Sequence, residues 1–154
     1  MDREALLTEI WNNQDTAFDL TTEYNDMPHK YGVRVLYQAE AYIISSIGQN
    51  PGITTTELAK IFHKTISACS QINKRLIEKE LIYRVNNAEN KREYYLFLTP
   101  DGENVFQAQL DMNRHSKEQM YKKLEQFSDQ QLAMALLVQK TINEAYKDDL
   151  QYFK

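Results

Sequence analysis

The chain has 154 residues, with 18 Lys+Arg against 22 Asp+Glu and a formal net charge of −4. That length holds one domain, or one domain with a dimerisation extension, and excludes an enzyme barrel of the (β/α)₈ type. Four Gly and three Pro in a sequence that is 42% hydrophobic point to long helices with few turns, and a single cysteine, Cys69, excludes a disulfide framework and a Cys-rich zinc site.

The first predicted helix runs from about Asp2 to Tyr24, with Asp2 as its cap. Leu7, Ile10, Trp11 and Phe18 recur on one helical face. The stretch 25–29 breaks it, and Pro28 drives Met27 out of helical geometry. A second helix covers Leu36 to Gln49, with Leu36, Ala39, Ile43 and Ile47 as its apolar stripe and the Gly48–Gly52 segment as its end. Thr54-Thr55-Thr56-Glu57 fits a capping box for a short third helix carrying Leu58, Ile61 and Phe62. After the turn 63–65, Thr65 caps a fourth helix reaching about Lys79. Its apolar positions are Ile66, Cys69, Ile72 and Leu76; its opposite face carries Ser67, Ser70, Gln71, Lys74 and Arg75.

Beyond Glu80 the period turns extended. The segments 81–85 and 94–98 read as two strands around a polar loop, 86–93. Thr99-Pro100 marks the start of a long helix reaching Phe127, and Ser128 caps a last one, Asp129 to Tyr152. The long helix has only a thin apolar stripe, Val105, Phe106, Met112, Met120 and Leu124, which suits packing between subunits or lobes.

Two short helices joined by a tight turn and followed by a hairpin spell a winged helix-turn-helix. An α-helix fits the major groove of B-DNA, and a hairpin loop can carry a cation to the neighbouring minor groove. Ser67, Ser70 and Gln71 allow close approach and hydrogen bonding, and Lys74 and Arg75 suit phosphates or guanine edges. Charge follows the same division. Thr54 to Tyr95 holds eight Lys+Arg against five Asp+Glu, a balance of +3; the remainder, with ten against seventeen, stands at −7. The acidity therefore lies outside the candidate reading head.

Residues 53–102 resemble the MarR (multiple antibiotic resistance regulator) family of bacterial transcription factors. The resemblance rests on Thr56-Glu57-Leu58-Ala59, Ser67-Ala68-Cys69-Ser70-Gln71, the run from Lys74 to Ile82, the hairpin loop, and Leu98-Thr99-Pro100-Asp101-Gly102. It implies a mainly α fold with a small β-hairpin wing. Its parts would be an N-terminal dimerisation helix and linker (1–35), the winged DNA-binding domain (36–100) and C-terminal dimerisation helices (101–154). It further implies a cytoplasmic homodimer that binds a pseudo-palindromic double-stranded operator, more often as a repressor, and is released by a small aromatic effector. By family pattern, Thr55 touches a phosphate and Arg92 is the wing-tip arginine. Lys64, Thr65, Asn90 and Lys91 complete the expected DNA-facing set. Two departures stand out: Asn90-Lys91-Arg92 replaces the usual Asp-x-Arg, and Glu80 stands where the family often has Gly.

Trp11, Tyr31, Tyr37 and Tyr42 are the expected effector-pocket residues, against a plainer reading as core and interface packing. Cys69 reads as a small core hydrophobe. His29, His63 and His115 have no metal-ligand spacing on one face, so no metal or other cofactor is expected, although Glu40, His29 and His115 are the set that could converge. No phosphate-cradling glycine loop or nucleophile elbow occurs, so no enzymatic activity is expected. The N-terminus lacks a secretory signal pattern, and no apolar run could span a bilayer. The competing class is a winged-helix module that binds protein, or senses a ligand or metal, without touching DNA.

Overall fold

The computed structural model describes the whole chain apart from Glu89, Lys91, Arg92, Phe153 and Lys154. The element order is α1 (Arg3–Asp26), β1 (Pro28–Tyr31), β2 (Arg34–Tyr37), α2 (Gln38–Gln49), α3 (Thr55–Ile61), α4 (Ile66–Glu78), β3 (Ile82–Asn86), β4 (Tyr94–Leu98), α5 (Pro100–Leu124) and α6 (Asp129–Tyr152). The chain divides into two compact units, Met1–Met112 and Asn113–Lys154. The divide falls inside α5. Its first turns stay with the first unit because Val105, Phe106 and Gln109 are buried there.

α1 begins where expected: the Asp2 carboxylate accepts the Ala5 amide at 2.9 Å. Met27 is extended, as the following proline demands. The next segment departs from the sequence reading, which treats it as a linker and starts α2 at Leu36. It forms an antiparallel hairpin in which Tyr31 pairs with Arg34 and Pro28 with Tyr37. Gly32, with φ +62°, takes the first turn position, where a two-residue hairpin turn favours glycine. Proline at the first strand position loses no ladder bond it would have needed.

The core of the first unit gathers Leu36, Ile43, Ile44 and Ile47 with Leu58, Cys69 and Leu76, and closes with Leu81, Ile82, Leu96, Val105 and Phe106. Gly48 lets the Phe106 ring lie on α2, since a Cβ there would fall 2.6 Å from a ring carbon. β3 and β4 pair from Ile82 with Leu98 to Asn86 with Tyr94. The segment before α3 adds itself to β4: the Gly52 amide donates to the Leu96 carbonyl at 2.9 Å, and the Leu96 amide to the Ile53 carbonyl at 3.1 Å. The wing is thereby tied to the start of the helix pair.

The end of α4 answers the missing glycine. Glu80 itself adopts the left-handed conformation, with φ +59°. Its amide donates to the Ile77 carbonyl and the Leu81 amide to the Leu76 carbonyl, both at 2.9 Å, which is a complete Schellman turn. The left-handed backbone costs a non-glycine residue about 1–2 kcal/mol. Leu76 and Leu81, which the turn brings together, are fully buried. Each contributes about 1.5–3 kcal/mol, so packing outweighs the strain.

α1 and α6 behave differently from the core helices. The predicted stripe Leu7, Ile10, Trp11 and Phe18 is exposed, and α1 buries no residue at all. α6 likewise buries none, and leaves Met134, Leu136, Leu137 and Leu150 exposed. The pair Ser128 and Gln131 caps α6 reciprocally: the Ser128 amide donates to Gln131 Oε1 at 2.9 Å, and the Gln131 amide to Ser128 Oγ at 3.3 Å.

Glu80→Gly relieves the left-handed strain and is expected to raise unfolding stability by about 1 kcal/mol, the gain from strain relief exceeding the entropy cost in the unfolded chain. Gly102→Ala is expected to lower it by about 1–3 kcal/mol, because its Cβ would fall 2.0 Å from the Leu81 carbonyl oxygen. Urea denaturation at matched protein concentration measures both.

Candidate nucleic-acid interface

Two capped helices frame the site. At the start of α3 the Thr54 amide and hydroxyl both donate to Glu57 Oε2 at 2.8 Å, and the Glu57 amide donates to Thr54 Oγ1 at 3.2 Å. This capping box holds the Glu57 carboxyl below its ordinary range, chiefly through the Thr54 backbone N–H and then the hydroxyl. α3 ends in a second Schellman turn. His63 is left-handed, with φ +50°; its amide meets the Lys60 carbonyl at 3.3 Å, and the Lys64 amide the Ala59 carbonyl at 3.0 Å. Thr65 then caps α4 by accepting the Ala68 amide at 3.1 Å. Only four residues, 62–65, separate the end of α3 from the start of α4, which is what turns α4 sharply away from α3.

α4 has two chemically distinct sides. Cys69, Ile72 and Leu76 are buried against the core. Ser67, Ser70, Gln71, Lys74 and Arg75 are exposed, as are Lys64 and Thr65 at its beginning. Ser70 and Lys74 share a groove with Thr55, Thr56 and Arg84, between the two helices and the wing. Asn73 is buried, and its Nδ2 donates to Thr55 Oγ1 at 3.0 Å, which leaves the threonine hydroxyl its own proton to give. Lys74 stands 3.8 Å from Glu78 in an exposed pair that constrains it little.

Arg75 is placed differently from its neighbours. Its Nε lies 3.7 Å from Oε1 of Glu40 on α2, a carboxylate only 2% exposed. Sequence reasoning missed Glu40 as a partner of α4. The available signal was its position within the apolar face formed by Leu36, Ile43 and Ile47, where an acidic residue has to find a cation.

In the wing, Tyr83 stacks on Phe97 with ring centres 5.6 Å apart, and the Arg84 guanidinium lies over Tyr94 at 4.5 Å. The Asn90 side-chain amide donates to the Glu93 carboxylate at 3.4 Å, and the Glu93 amide donates to the Asn90 carbonyl at 2.9 Å. Lys91 and Arg92, the expected wing cations, lie outside the described residues.

The four candidate effector residues do not converge. Tyr31 is a core residue whose hydroxyl donates to Gln38 Oε1 at 2.9 Å. Burial first, then Tyr24 and Tyr42, push its pKa up to about 12. Trp11 and Tyr37 are exposed. Tyr42 alone of the four lines a cavity of about 260 Å³, with Asp26, Gln38, Phe62, Lys64 and Cys69. Cys69 is fully buried, and burial raises its thiol pKa. His29 bonds the Tyr24 carbonyl at 2.7 Å, and no cluster of three metal-ligating side chains forms among the described residues.

Residues 36–94 match the model of the MarR family. The chain is 23% identical over 128 residues to the HTH-type transcriptional regulator YhjH of Bacillus subtilis, covering 82% of this chain and 73% of that protein. Among solved structures it is similar to Streptococcus pneumoniae FabT in complex with DNA. The identity there is 22%, the TM-score 0.64, and the coverage 94% of this chain and 95% of that one. It is also similar to the zinc-responsive MarR family member ZitR of Lactococcus lactis, at 15% identity and TM-score 0.78, covering 92% and 99%.

Because Glu57 titrates lower in the folded state, its contribution to stability is fully present above the ordinary carboxylate range of the unfolded chain and fades as pH falls through the lowered folded value. The stability advantage of the wild type over Glu57→Gln should therefore hold at neutral pH and shrink in acid. Thermal unfolding of both proteins across that range measures it; a constant difference contradicts the capping role.

Proposed function

We propose that this chain, whose residues 36–94 match the model of the MarR family, binds double-stranded DNA as a homodimer and regulates transcription, as a repressor, from a pseudo-palindromic operator. The observation that carries this reading is the two-sided chemistry of α4. One side is buried in the core, while Ser67, Ser70, Gln71 and Lys74 stand exposed on the other. That is the pattern of a helix held rigidly from behind and offered to a groove. The relative solved on DNA, FabT, shares the fold over nearly the whole chain.

The homodimer accounts for the bare apolar faces of α1 and α6. Helices that long with no buried residue would leave the chain with apolar surface that solvent does not reward. A second copy supplies matching faces by symmetry. The protein acts in the cytoplasm and catalyses no reaction. Among the described residues no helix is long and apolar enough to cross a membrane.

An effector reading rests on the cavity beside Tyr42. Its size suits one small aromatic ring, Tyr42 and Phe62 supply stacking surface, and Lys64 supplies a cation. A phenolic carboxylate is the expected occupant. It should raise the melting temperature of the wild type and leave Tyr42→Ala unmoved; equal shifts in both proteins place the ligand elsewhere.

The DNA reading is tested by two substitutions with different signatures. Gln71→Ala should relax base preference by about 1–3 kcal/mol at one position of each half-site, while Lys74→Ala should weaken all sequences alike and lower the salt slope by about one. Affinity selection from a randomised duplex pool, followed by a salt titration, reads both. Unchanged preference and affinity in both variants would mean that α4 does not face DNA.

A further inference from the structure

α4 carries a row of residues at four-residue intervals: Ser67, Gln71, Arg75 and Lys79, the last being its C-cap. Such a row lies along one side of a helix. The row changes character along its length. Its first half is small or amide-bearing, and its second half is two cations. Both cations are held by the same buried group. Lys79 Nζ lies 2.8 Å from each oxygen of Glu40, and Arg75 Nε lies 3.7 Å from Oε1. Glu40 stands in the first turn of α2, where the Tyr37 amide donates to its Oε2 at 3.2 Å and the helix dipole favours a negative charge.

We propose that Glu40 is a positioning residue for DNA recognition. By holding Lys79 and drawing Arg75 toward α2 at the C-terminal half of α4, it directs Arg75 to a phosphate and away from base edges. The proposal rests on the reading of α4 as the helix that meets DNA. A carboxylate 2% exposed has given up its water and must keep a cation close. Lys79 fills that role at hydrogen-bonding distance to both oxygens. Arg75, at 3.7 Å, is attracted without forming a hydrogen bond, so it can engage a phosphate at no cost in broken bonds. Its side chain is 53% exposed, enough to reach one. Finally, two cations against one carboxylate leave a single positive charge in surplus at that end of the helix. A recognition helix meets base edges with its N-terminal residues, so a cation near the other end falls to the backbone and sets register.

The test uses the full-length protein and two probes: the duplex that the wild type enriches from a randomised pool, and poly(dI-dC). Glu40→Gln frees both cations. Affinity for poly(dI-dC) should rise, the slope of log K against log salt should steepen by about one, and preference for the selected duplex should fall about tenfold. The double variant Glu40→Gln with Lys79→Met keeps the wild-type net charge and removes the buried pair. It should recover the wild-type salt slope without recovering the preference, and it provides the reading if Glu40→Gln alone does not fold. Arg75→Ala should lower the salt slope by about one and leave base preference intact. Equal loss on both probes with unchanged slopes, or wild-type preference in the double variant, overturns the role of Glu40. A wild type that binds neither probe at low salt overturns the DNA reading itself.

Discussion

The carbonyl of Leu81 accepts the Thr99 amide at 3.1 Å, and its oxygen occupies the space where a Cβ on residue 102 would fall. Three elements meet at that one peptide. α4 ends there in its left-handed turn, β3 begins there, and α5 starts against it. The Thr99 hydroxyl completes the joint by donating to the Glu80 carbonyl at 2.7 Å while accepting the Gly102 amide at 3.1 Å. The angle of α4 to the wing and to α5 depends on this joint, because its polar groups are mutually satisfied and its space admits only hydrogen at position 102. The strain at Glu80 is tolerated because Leu76 and Leu81 are buried by the same turn.

A second set of constraints acts from the α2 side. Glu40 draws the C-terminal end of α4 to the start of α2, and the segment 52–54 ties the wing to the start of α3. α4 is thus held at its end by a packed turn and by the ion pairing of Lys79 with the buried Glu40 carboxylate, and at its start by the cap on Thr65. What remains exposed along it is mostly short, polar or cationic, with two exceptions: Glu78, paired with Lys74, and Ile66, which the sequence reading placed on the buried stripe and which is exposed at the helix start. The overall charge of −4 is compatible with a DNA partner because the excess acidity lies outside 54–95.

Much of this arrangement was legible from local signals. Caps are written within four residues, so Asp2, the Thr54–Glu57 box, Thr65, Thr99-Pro100 and Ser128 could each be placed from sequence alone, and the helices they start lie where expected. The change of period after Glu80 gave the wing strands within a residue. The β1–β2 hairpin was not legible, because each of its strands has four residues and buries only one, Tyr31 or Leu36. The turn at Glu80 was visible only as a missing glycine; whether the chain would pay for the strain depended on leucines meeting across it. Glu40 with Lys79 was beyond local reading, since the partners lie 39 residues apart. The tyrosines were ambiguous for a related reason: their position in the chain does not say whether the surface they reach is core, cavity or solvent, and Tyr31 on β1, Tyr42 on α2 and Tyr37 on β2 went one to each.

In the proposed complex, two copies of α4, one per subunit, are presented to one face of a DNA duplex. Hydroxyl-radical footprinting of the full-length protein on its selected duplex tests this most directly. Two equivalent protected patches are expected, with centres about one helical turn apart, roughly 34 Å, on the same face of the duplex. A single unsymmetrical patch, or no protection at low salt, would contradict it.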